Sequence, residues 1–186
     1  MPPKVKITKE DIVQTAMDLV RTSGSQSINA RAIAAALICS TQPIFSNFAT
    51  MGELQDAVIH AAYERYTAFL TKEAGSGKYP QYKAYGMAYV RFAKEEKELF
   101  KLLYMCDRRG KETVEEFYIF DDMETRVKNA TSLAGQEAEL FHMEMWVYVH
   151  GIATMLATGF LDLDWDLVSK MITDAYQGLR KQYGLE

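Results

Sequence analysis

The residues able to do chemistry lie scattered along this chain. His60, His142 and His150 have no cysteines or carboxylates at the spacing a zinc site needs, and the chain holds no nucleophile motif and no glycine-rich phosphate loop. Asp162, Asp164 and Asp166 begin like a calcium loop, but Leu167 stands where that loop needs glycine and Thr173 where it needs a bidentate glutamate. A turn and a helix cap are expected there instead. Glu115, Glu116, Asp121, Asp122 and Glu124 read as a solvated acidic face. Cys39 and Cys106 match no disulfide framework, and a reducing compartment suits them. The opening MPPKVKITKEDIV turns polar before a signal-peptide core can form, and no apolar run approaches the roughly 20 residues of a membrane span. The expectation is a cytoplasmic protein that is not an enzyme and requires no metal and no cofactor.

The elements that would position a functional site are helical throughout. Ile12, Ala16, Leu19 and Val20 recur at helical spacing behind Thr8, which can form a capping box with Asp11, and Gly24 is placed to end that helix, giving about 9–22. Asn29 can cap a short helix over about 30–37, and Ser40 a third over about 41–47, with Pro43 in its first turn. Two short helices around the turn Ile38-Cys39-Ser40 have the lengths of a helix-turn-helix, whose second helix enters the DNA major groove; the same pattern also occurs in many other helical domains. Thr50 and Glu53 can box a long helix running to the Gly75-Ser76-Gly77 break. Further helical patterns cover about 80–94, 96–105, 113–132, 136–158 and 165–183, with Asp164 capping the last. The fold expected is all-α with about nine helices: an N-terminal three-helix module over 1–50 and a helical bundle over 51–186. Lys4, Lys6, Lys9, Arg21 and Arg31 oppose Glu10, Asp11 and Asp18 in residues 1–52, a local excess of positive charge in a chain whose net charge is −4. That asymmetry suits one end that meets phosphate.

Residues 7–59, ITKEDIVQTAMDLVRTSGSQSINARAIAAALICSTQPIFSNFATMGELQDAVI, resemble the DNA-binding region of the TetR family. The shared pattern falls on Thr8, Ala16, Gly24, Arg31, Ile33, Ala34, Ser40, Phe45, Phe48 and Leu54. The chain departs from the family at three places: a glycine is common where Ile38 stands, a tyrosine at Phe45 and a lysine at Met51, the latter two usually touching phosphate. Losing them removes phosphate anchors and shifts the burden to Lys4, Lys6 and backbone groups. The resemblance implies a DNA face of Lys6, Arg31, Ser40, Thr41, Gln42, Phe45, Ser46 and Asn47. Within it, Thr41, Gln42 and Ser46 are candidates to face bases, because glutamine can bond adenine N6 and N7 together and a threonine methyl can meet a thymine methyl. Read without the family, Thr41 and Gln42 are better taken as solvated helix-start residues, and Arg31 suits either a phosphate or a nearby carboxylate.

The segments YVRFAKEEKELFKLLYMCDR and MWVYVHGIATMLATGFL resemble a TetR-type C-terminal domain marked by Trp146, His150 and Gly151. Ten methionines, eleven tyrosines and nine phenylalanines can line a cavity as well as fill a solid core. Tyr89, Phe92, Tyr104, Phe117, Phe120, Trp146 and His150 are the candidate lining of a pocket for a hydrophobic small molecule; core packing is the alternative for each. Gly151, Thr154 and Thr158 recur at spacings of three and four, a strip of small residues suited to close helix approach in a homodimer. The reading is a regulator, usually a repressor in this family, that binds a palindromic double-stranded DNA operator as a dimer and is released by a small-molecule effector. The competing reading is a helical ligand-binding or interaction protein that has lost DNA binding.

Overall fold

The computed structural model describes residues 7–106 and 123–185. Nine α-helices, and no strand, occur among the described residues: α1 (Lys9–Ser23), α2 (Ala30–Ala36), α3 (Gln42–Asn47), α4 (Met51–Ala74), α5 (Gln81–Glu95), α6 (Lys97–Tyr104), α7 (Met123–Thr131), α8 (Gly135–Thr158) and α9 (Trp165–Gln182). The all-α expectation holds. Of the pattern read over 113–132, residues 113–122 lie outside the described residues.

Local chemistry sets the helix ends. Thr8 Oγ1 accepts from Asp11 N at 3.1 Å and the Asp11 carboxylate accepts from Thr8 N at 3.0 Å, the reciprocal capping box that starts α1. Gly24 ends α1 at φ 81°, a conformation that favours glycine, and donates its N–H to Val20 O. Asn29 Oδ1 accepts from Ala32 N at 2.9 Å and Asp164 Oδ1 from Leu167 N at 2.8 Å, so both expected caps form. Ser40 does not cap α3. Thr41, already helical at φ −72° and ψ −13°, takes the cap position without a side-chain bond, and its carbonyl accepts from Ile44 N and Phe45 N. The box at α4 is also altered: Thr50 Oγ1 accepts from Glu53 N, but the Glu53 carboxylate bonds Ala49 N, one residue earlier than expected.

The chain divides into two compact units, residues 1–67 with 96–106, and residues 68–95 with 107–186. In the first, α1 packs on α2, α3 and α6. Its core is Ile12, Ala16 and Val20 of α1, Ile33 of α2, Ile44 and Phe48 around α3, Leu54 and Val58 of α4, and Leu99, Phe100 and Leu103 of α6. Glu96, just before α6, is almost fully buried and takes a forked pair of bonds from Arg21 (2.8 and 3.0 Å) together with two from Arg65. In the second unit α5 and α9 pack on α8, and α7 on both α5 and α8. Lys83 Nζ bonds Ser169 and Thr173 at 2.7 and 2.8 Å, tying α5 to α9, and Tyr176 Oη donates to Ala130 O at 2.9 Å, tying α9 to α7.

The turn between α2 and α3 explains why a glycine would be expected there. Cys39 N–H bonds Ala34 O and Ile38 N–H bonds Ala35 O, the paired bonds of a Schellman ending, which requires a left-handed residue at Ile38. Ile38 meets the requirement at φ 52° with its side chain 94% exposed, so the strain of a β-branched residue there is offset by no packing. Ile38→Gly should therefore stabilise the protein by about 1 kcal/mol and raise Tm, whereas Ile38→Ala, which keeps a Cβ, should recover little of it. Thermal melts of the two variants check this, and equal Tm values for both would refute the strain.

Candidate functional site

The outward side of the first unit carries a short polar surface centred on α3. Ile44 within the helix and Phe48 at its end point into the core, with Lys9 Nζ 4.9 Å from the Phe48 ring centre. The opposite face turns to solvent: Ser40, Gln42 and Ser46 are exposed, Thr41 is half-buried and Phe45 is 53% exposed. Three- and four-residue spacing puts Phe45 beside Gln42 and Thr41 on this face. Ser46 Oγ donates to Gln42 O at 2.9 Å, which leaves its lone pairs outward. Asn47 is half-buried, and its amide donates to Pro43 O at 2.8 Å and Ile7 O at 3.5 Å, so it anchors α3 to the chain before α1.

The charges around this face are few. Helix α3, QPIFSN, carries none. Arg31 is exposed and has no carboxylate partner among the described residues. Lys9 is held by Glu53 at 3.1 Å, and the Glu53 carboxyl is drawn below its ordinary range by the Ala49 N–H first and Lys9 second. Met51 is half-buried. Lys6 lies outside the described residues. The surface thus presents an amide and hydroxyls able both to donate and to accept, one aromatic ring, and one available guanidinium.

In the second unit three of the residues read as pocket lining come together. Tyr89 Oη lies 2.8 Å from His150 Nδ1, and the Trp146 ring stacks on His150 one helical turn away at 4.8 Å between centres. Burial holds the His150 pKa below its ordinary value, which favours neutral imidazole. Phe92 is fully buried, edge-on to Phe69 at 5.4 Å. Tyr104 belongs to the first unit, where it packs against Tyr66 and Phe100. Phe117 and Phe120 lie outside the described residues. A second tyrosine–histidine pair was not singled out from the sequence: Tyr82 Oη lies 3.1 Å from His142 Nδ1. A separation of 60 residues hides it from any local pattern.

Helix α8 carries apolar side chains around most of its surface, with Glu137, Glu139 and Glu144 exposed among them. Its inner face buries Ala138, Phe141, Met145, Val149 and Ile152, while Leu140 and Val147 are more than half exposed on the outer face that also holds Gly151, Thr154 and Thr158. Among the described residues, the space a side chain on Gly151 would take is open. Leu140 and Val147, seven residues apart, share the helical phase of Gly151 and Thr158.

Among the described residues no group of three histidines, cysteines or carboxylates is placed to hold a metal ion, and no helix is long and apolar enough to cross a membrane. The family model of the tetracyclin repressor-like C-terminal domain matches residues 82–175, half of the chain. Two solved structures share the fold. A TetR-like transcriptional regulator from Rhodococcus sp. RHA1 is 19% identical, with a TM-score of 0.67 over 96% of this chain and 98% of that one. A putative transcriptional regulator from Pseudomonas aeruginosa PAO1 is 13% identical, with a TM-score of 0.69 over 93% and 90%. A search of curated protein sequences finds no match.

The buried tyrosine–histidine pair predicts how the second unit responds to acid. Burial first, and the charge of Arg126 second, bring the His142 pKa down from 6.5 to about 4. The unfolded chain then binds the proton more readily than the folded one, so this contribution is complete above about pH 6.5 and is lost as pH falls toward 4. Thermal melts between pH 7 and 4 should show Tm falling across that window, and His142→Gln should flatten the fall. An unchanged slope in the variant would contradict a neutral, buried imidazole.

Proposed function

The chain belongs to the TetR-like family of transcriptional regulators, and from that premise we propose that it binds double-stranded DNA through the outer face of α3 and responds to a small molecule held in the second unit. The observation carrying the first half is that face itself: Gln42, Thr41 and Ser46 stand outward on a short helix whose other side is fixed by Ile44 and Phe48. Gln42 suits a bidentate bond to adenine, contributing roughly 1–3 kcal/mol of discrimination. Arg31, with no carboxylate partner among the described residues, suits a phosphate, and exposed Ser40 offers a second polar contact. With Lys9 engaged by Glu53 and Met51 in the place of a lysine, few cations remain to release counterions, so the salt dependence should be shallow.

The working form proposed is a homodimer joined through the outer faces of α8 and α9. Exposed Leu140, Val147 and Met155 of α8 and Leu167 of α9 would lose contact with water there. Gly151 and Gly178, which cost helix stability and fill no tight space among the described residues, would let two such faces approach closely. Thr154, whose hydroxyl oxygen is buried without a partner among the described residues, and exposed Thr158 sit on the same strip. A two-fold dimer reads a palindromic operator. The effector proposed is a largely apolar small molecule oriented by Tyr89 and neutral His150 beside Trp146. It acts as an inducer if it favours the dimer geometry that misses the operator, because a ligand shifts an equilibrium only by its differential affinity for the two states.

Fluorescence anisotropy against the promoter region of the protein's own operon tests the DNA half. The wild type should saturate at two chains per site, Gln42→Ala should relax base preference at one position of each half-site, and Lys6→Ala should weaken all sequences alike while lowering the salt slope. Absence of binding to any genomic fragment at low salt would leave the competing reading, a helical ligand-binding protein that has lost its DNA function.

A further inference from the structure

Of the two aromatic rings brought by the α3 segment, only one is used by the fold. Phe48 is buried and covered by Lys9, whereas Phe45 keeps about half of its surface in solvent. It stands on the polar face, three residues after Gln42 and four after Thr41. In the family pattern this position carries a tyrosine whose hydroxyl meets phosphate; a phenylalanine offers neither donor nor acceptor and so has no polar bond to give the DNA backbone. Whatever surface Gln42 reaches, the Phe45 ring reaches with it, because the two side chains stand on one helical face.

We infer that Phe45 is a base-reading residue, packing its ring on the 5-methyl group of a thymine one or two steps from the base pair read by Gln42. This rests on the DNA reading above and adds a specificity determinant to it. The major groove offers that ring one apolar feature, the thymine methyl, and an aromatic edge against a methyl discriminates T·A from the other pairs without any hydrogen bond. Such a contact is also insensitive to salt, which suits a face whose helix carries no charge. The half-site is therefore expected to pair an adenine, bonded by Gln42, with a nearby thymine defined by its methyl.

Selection from a random duplex library first identifies the preferred site; a protein that enriches no sequence overturns the DNA reading and this inference with it. Each thymine of the selected half-site is then replaced by deoxyuridine, which removes only the methyl. Wild type should lose about fourfold in affinity at one thymine per half-site, the value of one buried methyl. That loss should disappear in Phe45→Ala, remain in Phe45→Tyr, and remain in Thr41→Ser, which removes the other methyl able to make the contact. If the wild type tolerates uracil at every thymine, or if Phe45→Ala stays as sensitive as the wild type, or if Thr41→Ser alone abolishes the effect, Phe45 does not read a base and the inference falls while sequence-specific binding stands. Each arm compares thymine with uracil in the same protein, so a uniform change in a variant's overall affinity cancels from the ratio.

Discussion

The first unit depends on the carboxylate of Glu96. It stands nearly buried where α5 gives way to α6, and burial alone would push its pKa up. The forked bonds of Arg21 from α1 and the bonds of Arg65 from α4 outweigh that, so the group is held below the usual carboxylate range and stays charged at neutral pH. One charge thus joins three helices that are distant in sequence. The apolar residues of α6 then have a defined surface to pack on: Leu99, Phe100 and Leu103 bury with Ile12, Ala16 and Val20 of α1. The position of α1 in turn sets α2 and α3, and with them the outward face that holds Gln42 and Phe45. Such a clamp is costly to leave half-made, because removing one partner strands buried charge.

In the second unit the organising constraint is apolar. Helix α8 turns hydrophobic residues in every direction, and among the described residues α5, α7 and α9 pack on its inner face and flanks. The flank facing α5 is where polar atoms enter, as Tyr82 with His142 and Tyr89 with His150, each pair satisfying itself at hydrogen-bond distance. Neutral imidazoles bonded to phenols inside an apolar setting suit recognition of an uncharged or weakly polar group. The outer face, with Leu140, Val147 and an uncrowded Gly151, suits another helix. These two surfaces of one helix divide the effector and dimer roles proposed for the body.

Much of this was legible in the sequence because much of it is local. The boxes and caps at Thr8, Asn29 and Asp164 act over three residues, and each forms as their spacing predicts. The conformation of Ile38 is foreshadowed by the glycine common in that turn, since the Schellman ending needs a left-handed residue whatever its side chain. Ser40 failed as a cap because a helical Thr41 took over the helix start, a choice of one residue's ψ that composition does not decide. What escaped is non-local. Arg21 and Arg65 lie 75 and 31 residues from Glu96, and Tyr82 lies 60 from His142, so no periodicity links them. Tyr104 was grouped with the body from its aromatic character, whereas the helix that carries it, α6, packs on α1.

That membership of α6 is the central structural claim, because it makes the first unit larger than its first three helices and closes it with a charge. Amide hydrogen exchange on wild type and Glu96→Gln at neutral pH tests it most directly. The account predicts that α1 and α6 lose protection together in the variant while the inner residues of α8 keep theirs, as expected of one cooperative unit whose clamp has been opened. Loss of protection in α1 alone, with α6 exchanging as slowly as before, would contradict it.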